Sequence, residues 1–448
     1  MSVVRRTVPL RTRRRIDAPG AAWDERDGMT REAIVVGAGV GGAAAALALT
    51  AAGWSVTVLE RHPAASSPDA VAAVDAVGAG GRGSGISLWP NALRALAELG
   101  LDDVVAAGAV LGGSSGVRDP AGRWLARTDL TDAIRVRYGR PLLITRRETL
   151  LRRLRERIPA DRLVHGVTVA SVLPGAARAA VVEEGGRERA ADLVVVADGA
   201  RSRLRTSLFP AHPGLTPARY TTWRMLVRRR DALDDDGSLP VGETWGRRGE
   251  RFAILPVDAE WCYCYATAYA EPVTTGSADT DERAVLRDRF GRWHRPIPQL
   301  LDAVAPSDVI RTDAVFVAQP LGVHHRGRVV LLGDAAHAMT PDLGQGGCQA
   351  LEDAVTLGAV LAHPGGVDAG LARYSALRAG RTADIVRRSR WAGRVYDLPP
   401  ALARVLARAG GAVPAAVIAR GLDPVLGWSP PASRPHASVV APSGRQMR

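Results

Sequence analysis

The stretch AIVVGAGVGG, residues 33–42, joins a short apolar strand to a glycine-rich turn. Gly37, Gly39 and Gly42 fill the glycine positions of the G-x-G-x-x-G pattern, which allow a tight turn, close approach of a pyrophosphate and close packing of the next helix. The alanine-rich run that follows predicts a buried helix over residues 41–52. The free N–H groups and positive dipole end of this helix would face the phosphates.

A second strand and an acidic residue complete the pattern. Gly53 stops the helix, and residues 55–59 are predicted to form the strand. The strand leads into Glu60, whose carboxylate can accept hydrogen bonds from ribose hydroxyls. The segment therefore predicts an adenine-dinucleotide site, without distinguishing FAD from NAD. The residues expected to contact the cofactor here are Gly37, Gly39, Val40, Gly41, Gly42, Glu60 and Arg61.

Two later segments also place a polar motif directly after an apolar strand. Residues 193–196 (LVVV) precede a DG pair at 198–199, and residues 329–332 (VVLL) precede a GD pair at 333–334. The chain continues through PDLGQGGCQALEDA, residues 341–354. Together with the glycine turn, these segments resemble the three signatures of single-component (class A) flavoprotein monooxygenases, which have a p-hydroxybenzoate-hydroxylase-like fold. The third segment is most similar to the urate hydroxylase and epoxidase-like subgroup of that family.

The resemblance covers residues 32–395 and implies two cofactors, FAD and either NADPH or NADH. Asp334 would accept hydrogen bonds from the ribityl hydroxyls of FAD. Asp198 belongs to the motif that serves both FAD and the reduced nicotinamide. Arg147 opens the family's R-x-x-L helix and would reach the FAD phosphates or the ribityl chain; a surface role for it remains open.

The loop of the third motif is expected to hold the flavin ring. In the family, the backbone N–H groups of Gly344, Gly346 and Gly347 point at the N1/O2 edge of the flavin, which becomes anionic on reduction. Pro341 shapes the loop and in relatives lies beside the ring, near the substrate. Cys348 stands where many members have Asn. It is expected to be a small packed residue, with a redox thiol as the alternative.

The resemblance also implies the reaction. NAD(P)H reduces FAD, O2 adds at C4a, and the flavin hydroperoxide hydroxylates or epoxidises an aromatic or conjugated small molecule. A reductase or desaturase of the same fold, and a non-catalytic flavoprotein, remain alternatives. Flavin-dependent halogenases share the fold but need a lysine, and this chain has none.

The substrate side is predicted from an alternating pattern between the second and third motifs. Residues 219–227 are predicted to form a strand, and residues 251–256 and 261–265 a hairpin. In the family, this region is a mostly antiparallel sheet that roofs the substrate pocket. Its candidate lining residues are Tyr220, Trp223, Arg224 and Trp245.

Strand periodicity separates these candidates. Tyr220 and Arg224 share one face, whereas Trp223 points to the other, and the sequence leaves open which face looks inward. Arg224 could hold a carboxylate or phenolate or draw a proton off the substrate, but a salt-bridged sheet arginine is an equal alternative. The predicted catalytic residues are Arg224, Tyr220 and Pro341.

The predicted fold class is α/β (α+β), with a Rossmann-like FAD-binding domain of glutathione-reductase type interleaved with the antiparallel substrate sheet and a C-terminal helical region. The predicted divisions are a disordered basic tail (1–31), the first part of the FAD domain (32–205, with inserted segments such as a loop near 62–82), the substrate domain (206–315), the last part of the FAD domain (316–365), and C-terminal helices and tail (366–448).

Composition limits the partners. The net charge is +13 and all 59 basic residues are arginine, which we attribute to codon preference and not to nucleic-acid binding. No apolar run is long and uncharged enough to span a membrane, so no membrane partner is expected. Three cysteines give no framework for a disulfide or metal site. A cytoplasmic monomer or homodimer is predicted.

Overall fold

The computed structural model describes residues 30–64, 84–111, 115–247, 249–269, 280–363 and 365–431. The described residues from Arg31 onward belong to one compact unit. The predicted basic tail and the predicted loop insertion lie almost entirely outside the described residues.

The strands are numbered in chain order. They are β1 Glu32–Val36, β2 Ser55–Glu60, β3 Gly85–Leu88, β4 Ala109–Val110, β5 Ser115–Arg118, β6 Trp124–Thr128, β7 Leu143–Arg146, β8 Leu163–His165, β9 Val169–Leu173, β10 Ala179–Glu183, β11 Glu188–Ala191, β12 Leu193–Val196, β13 Leu215–Arg228, β14 Gly242–Trp245, β15 Arg251–Pro256, β16 Trp261–Tyr269, β17 Ile310–Val317, β18 His325–Arg326 and β19 Val329–Leu331.

The helices are numbered in the same way. They are α1 Val40–Ala51, α2 Pro90–Glu98, α3 Leu130–Tyr138, α4 Arg147–Arg155, α5 Arg203–Leu208, α6 Glu282–Phe290, α7 Ile297–Ala303, α8 Asp334–His337, α9 Gly346–Leu361, α10 Val367–Gly393, α11 Pro400–Ala412, α12 Ala415–Gly421 and α13 Asp423–Leu426. Short 3-10 turns cover Asp102–Ala107, Ala160–Arg162, Arg229–Ala232, Pro306–Asp308, Pro341–Leu343 and Arg394–Asp397.

A six-stranded sheet in the order β18-β19-β12-β1-β2-β8 carries all three sequence motifs. Strand β1 runs parallel to β2 and β12, and β12 runs parallel to β19. The glycine turn, the DG pair and the GD pair therefore follow the carboxyl ends of three adjacent strands, which is where open parallel sheets bind ligands. Helices α1, α2 and α9 cover one face through a shared apolar core.

A seven-stranded sheet in the order β17-β13-β16-β15-β14-β5-β6 forms the second layer. It is mostly antiparallel, and the predicted hairpin of β15 and β16 is confirmed. Strands β5 and β6 lie within residues 32–205, yet they pair with this sheet and not with the six-stranded one. Helices α6 and α7 pack on one face around Trp223 and Phe252.

The α/β fold class is confirmed, and the predicted element bounds differ by a few residues. The helix predicted over 41–52 covers Val40–Ala51, and the strand predicted over 219–227 belongs to the longer β13. Among the described residues, no single helix is long and apolar enough to cross a membrane. The bent pair of α11 and α12 meets that criterion of length and composition only when both are taken together.

Candidate active site

The glycine turn is shaped by contacts that exclude side chains. Gly37 has a φ of +97°, and a Cβ on it would lie 2.6 Å from the carbonyl oxygen of Ala197. A Cβ on Gly42 would lie 1.9 Å from the carbonyl oxygen of Gly37, so the helix packs directly on the turn. A Cβ on Gly39 meets nothing within 4 Å, which leaves open space where a pyrophosphate would approach. Gly41 instead faces the core, beside Leu332.

Glu60, the last residue of β2, contacts this turn. The buried Glu60 carboxylate accepts a hydrogen bond from the backbone N–H of Ala38 at 2.8 Å. Arg155 donates from Nε to the carbonyl oxygen of Ala38 at 2.9 Å, and its Nη2 lies 3.7 Å from the Glu60 carboxylate. Burial lowers the pKa of Arg155.

The sequence predicts a cofactor contact for another arginine of this helix, Arg147, and that contact stays a prediction. Arg147, at the start of α4, is exposed, whereas Arg155, at its end, contacts the glycine turn. Several arginines alternate with leucines along α4, so the sequence pattern could not show which one reaches the turn. Arg61 is also exposed, and its Nε lies 3.4 Å from the imidazole of His62.

The DG pair lies beside the turn, because the end of β12 packs against Gly37. The Oδ1 atom of Asp198 is buried without a hydrogen-bond partner within the described residues. Burial raises the pKa of this carboxyl, although Ser202 opposes the shift. A buried carboxyl oxygen without a protein partner is suited to accept a hydrogen bond from a ligand.

The GD pair presents a carboxylate next to a helix N-terminus. Asp334 is exposed, and a Cβ on Gly346, the first residue of α9, would lie 3.6 Å from its Oδ1. The preceding Gly333 donates its N–H to the Asp353 carboxylate at 2.9 Å. Arg378 and His337 also bond to Asp353. Burial alone would raise the pKa of Asp353, but these two groups hold it well below its usual range.

The GQGG loop, residues 344–347, packs closely against neighbouring side chains at two of its glycines. Gly344 has a φ of +61°, and a Cβ there would lie 3.0 Å from Nε1 of Trp89. This buried indole nitrogen has no hydrogen-bond partner in the part of the chain that the structure describes. A Cβ on Gly347 would lie 2.8 Å from Ile86. Cys348 is fully buried, and burial raises the pKa of its thiol to about 12, which disfavours thiolate chemistry.

These features fit FAD. The open space at Gly39 suits a pyrophosphate, and the exposed carboxylate of Asp334 suits a polyol chain. The free N–H groups at the start of α9 suit an electron-rich ring edge. Trp89, which the sequence analysis did not single out, lies beside Gly344 of the same loop.

One face of the seven-stranded sheet looks toward these elements. A Cβ on Gly85 in β3 would lie 2.5 Å from the ring of Tyr263 in β16, so the face that carries Tyr263 opposes β3. Strand pairing places Tyr220 and Arg224 on this same face. Trp223 points to the other side, where its Nε1 donates to Glu282 at 2.6 Å, so it does not lie on the face that opposes β3.

A buried ion pair joins this face to the loop of the third motif. Arg251 donates from Nη2 to Oδ1 of Asp342 at 2.9 Å, and the two side chains are only 5% and 1% exposed. Tyr220 donates its hydroxyl to Oδ2 of Asp342 at 2.8 Å. Burial and the neighbouring Asp342 raise the pKa of Tyr220 well above its usual range. The Arg251 guanidinium also stacks 3.7 Å from the centre of the Tyr396 ring.

A second carboxylate lies beside Arg251. Glu243 in β14 accepts hydrogen bonds from the hydroxyl of Tyr265 and from Nε1 of Trp245, and its Oε1 is 3.9 Å from Arg251. Trp245 packs edge-on against Tyr396 at 5.1 Å. Sequence reasoning missed Glu243, Arg251 and Tyr396. Arg251 lies on a strand that the sequence predicts, but the sequence did not show which face of that strand looks inward, and nothing pointed to Glu243 or Tyr396.

The three predicted catalytic residues are thus brought to one region but not into contact. Tyr220 contacts the loop that begins at Pro341, because its hydroxyl donates a hydrogen bond to Asp342. Arg224 is half-buried and donates from Nη1 to the hydroxyl of Thr312 at 3.1 Å, toward β17. Within the described residues, no cluster of three or more His, Cys, Asp or Glu side chains is suited to a metal.

Comparison with known proteins places the chain in a family. The FAD binding domain family matches residues 30–389. Aurachin C monooxygenase/isomerase from Stigmatella aurantiaca is 36% identical over 365 residues, which is 81% of this chain and 88% of that protein. FAD-dependent urate hydroxylase from Klebsiella pneumoniae is 34% identical over 367 residues, or 80% and 88%.

A solved structure shares the fold. The crystal structure of Klebsiella pneumoniae HpxO complexed with FAD and uric acid superimposes with a TM-score of 0.76 and 29% identity, covering 88% of this chain and 95% of that one. The family match spans all three motifs and the seven-stranded sheet. The chain therefore belongs to the FAD binding domain family and is an FAD-dependent monooxygenase.

Proposed function

We propose that the chain uses NAD(P)H and O2 to hydroxylate or epoxidise a planar conjugated molecule that binds between the GQGG loop and the inward face of the seven-stranded sheet. The observation that carries this proposal is the Asp342 contact, which joins the loop to the sheet through Tyr220 and Arg251. Bound FAD would supply hydride acceptance and oxygen activation.

The polar groups of this face position a substrate and do not act as strong acids or bases. The raised pKa of Tyr220 keeps its hydroxyl protonated, and that proton is donated to Asp342. The phenolic oxygen can still accept a hydrogen bond from a substrate N–H or O–H group. The charge of Arg251 is neutralised by Asp342 and Glu243.

Arg224 is better suited than Arg251 to bind an electron-rich oxygen of the substrate. Its guanidinium donates to the neutral hydroxyl of Thr312, and among the described residues no carboxylate forms an ion pair with it. Its planar N–H groups could hold a phenolate, an enolate or a carboxylate. A substrate with one such oxygen and a conjugated ring would use both Arg224 and Tyr220.

On the cofactor side, we propose that Asp334 binds the ribityl hydroxyls and that Glu60 binds the adenosine ribose. We also propose that the N–H groups at Gly346 and Gly347 contact the flavin ring edge. We also propose that Arg155 contacts the pyrophosphate at the glycine turn, while the cofactor contact expected of Arg147 stays a prediction. Two contacts support these assignments: Glu60 and Arg155 both bond to Ala38, which precedes Gly39, and Asp334 lies beside Gly346.

Product labelling tests the reaction. Small phenols and fused heteroaromatics would be screened for stimulation of NADPH and NADH oxidation by the FAD-loaded enzyme, and products would be analysed under oxygen-18 gas. We expect one labelled oxygen atom in the product. Product without label would overturn oxygen insertion and favour a reductase or desaturase.

A further inference from the structure

Helix α11 exposes an apolar face that the FAD-binding elements do not cover. Leu402, Val405 and Leu406 follow the i, i+3, i+4 spacing of one helix face and are 45%, 58% and 44% exposed. The opposite face packs inward: Ala407 is buried, and a Cβ on Gly411 would lie 2.9 Å from Ala126 in β6. The apolar stripe therefore points away from the protein.

The exposed apolar surface extends past the end of this helix. Helices α11 and α12 meet at an angle of 105°, and together they satisfy the length and hydropathy of a membrane segment. Val413, between the helices, is 39% exposed, and Val417 in α12 is 57% exposed. A bend of this size lets both helices lie along a surface.

Only positive charges accompany the apolar residues. Between Leu398 and Leu422 the chain contains Arg404, Arg408 and Arg420, all exposed, and no Asp or Glu. A second copy of this chain docked by two-fold symmetry would bring the same surface patch of both copies together. The arginines would then meet without a carboxylate from this segment to pair with, so self-association fits poorly.

We propose that α11 and α12 form a docking surface for an anionic lipid bilayer. A helix with leucine and valine on one face and arginine beside it is the pattern of an interfacial helix, which buries its apolar face at the headgroup boundary while its cations attract anionic lipids. The proposal goes beyond the oxygenase activity and departs from the expectation of no membrane partner. Docking would bring the enzyme to substrates or products that dissolve in lipid.

Vesicle flotation tests this proposal with the FAD-loaded enzyme. We expect it to float with phosphatidylcholine vesicles that contain phosphatidylglycerol, to float less with phosphatidylcholine alone, and to be released by high salt. The triple variant L402S/V405S/L406S should lose at least about tenfold in bound fraction, since the apolar contribution disappears. The double variant R404Q/R408Q should lose the preference for phosphatidylglycerol.

A matched control carries L173S and V323S, two apolar residues of similar exposure (47% each) outside these helices. It should bind vesicles as the unaltered enzyme does. All variants should keep the same FAD absorbance, which separates a docking defect from misfolding. Equal binding by the triple variant and the control, or no flotation of the unaltered enzyme, would overturn the proposal. A dimer that the triple variant converts to monomer would also overturn it, in favour of a second copy.

Discussion

At the residue scale, Asp342 connects the loop of the third motif with the substrate sheet. Its carboxylate accepts the hydroxyl of Tyr220 and the guanidinium of Arg251 in a buried setting. Buried charge-assisted hydrogen bonds are stronger than neutral ones and restrict geometry. Asp342 therefore sets the distance between the sheet face and the loop. A substrate would lie between these two elements.

Tyr220→Phe removes one of these hydrogen bonds while leaving Arg251 in place. We expect kcat/KM for the aromatic acceptor to fall about tenfold, which corresponds to about 1.4 kcal/mol of transition-state stabilisation. FAD affinity should not change, because Tyr220 lies on the substrate side. Tyr138→Phe is the control, since the hydroxyl of Tyr138 bonds to Asp423 and to the carbonyl oxygen of Ala419 in the C-terminal helices. A kcat/KM equal to that of the control would contradict the assigned role.

Asp334 offers a test of the ribityl contact. Its side chain is exposed next to the start of α9. Asp334→Ala should raise the dissociation constant for FAD by at least about tenfold, since hydrogen bonds to a charged group contribute about 1.5–3 kcal/mol. Fluorescence titration of the apoprotein with FAD measures this. Purification of the variant with full yellow flavin would show that the motif is wrongly assigned.

Arg155 offers a test of the pyrophosphate contact that we propose at the glycine turn. Arg155→Gln should weaken FAD binding about tenfold, because a cation is lost beside the turn expected to hold the pyrophosphate. Arg152→Gln on the same helix is the matched control, since Arg152 pairs with Glu156 on the exposed side. The two variants are compared by the same fluorescence titration. Similar affinities for both would remove Arg155 from the site.

At the element scale, the β1–α1 unit separates glycines needed for packing from those needed for ligand access. Gly42→Ala would place a Cβ 1.9 Å from the carbonyl oxygen of Gly37, and overpacking of this kind costs about 1–3 kcal/mol or more. Gly39 has a φ of −68° and open space, so Gly39→Ala should leave the apoprotein as stable as the original. It should nevertheless weaken FAD binding.

Urea unfolding of the two apoproteins and FAD titration measure this contrast. We expect a lower unfolding midpoint for the Gly42 variant alone, and a higher FAD dissociation constant for the Gly39 variant without a stability change. If Gly39→Ala bound FAD normally, the space at Gly39 would not be the pyrophosphate site.

At the scale of the whole molecule, buried groups tie the six-stranded sheet to α10. Asp353 in α9 bonds to Gly333, His337 and Arg378, so one carboxylate connects the GD pair to the long C-terminal helix. The fully buried His324, just before β18, packs against His337 and against Tyr374 of α10. The position of Asp334 therefore depends on residues far from it in the sequence.

His324 makes stability depend on pH. Burial lowers its pKa from the usual 6.5 to about 3, so the folded state keeps it neutral while the unfolded state takes up a proton below about pH 6.5. A depressed pKa stabilises the fold above the unfolded value, and this stability is lost as the pH falls toward 3. The slope for one such group is about 1.4 kcal/mol per pH unit.

His324→Phe should flatten this dependence. The free energy of unfolding of the apoprotein would be measured with urea between about pH 6 and pH 4.5. Its slope against pH should show that the variant takes up about one proton fewer on unfolding than the original protein, since phenylalanine does not titrate. His165→Phe, which alters a partly exposed histidine at the end of β8, is the control. Identical slopes for the original protein and the His324 variant would contradict the burial argument.

The sequence by itself determined the cofactor end of this protein. The glycine turn, the DG pair and the GD-GQGG segment are local, because each combines a strand end with the residues that follow it directly, so spacing alone predicts them. Their joint order also predicted the α/β fold class, the FAD-dependent monooxygenase family and the two interleaved regions. The strand hairpin at residues 251–265 followed from alternation in the same way.

Tertiary structure alone decided the substrate end. Arg251, Asp342 and Tyr396 lie far apart in the chain and meet only because β15, the third-motif loop and the turn after α10 converge. Which face of β13 looks inward depends on what packs on the other side, and that is set by α6 and α7 around Trp223. Strand periodicity defines two faces but not their surroundings, so distant packing, and not local pattern, selected the residues of the pocket.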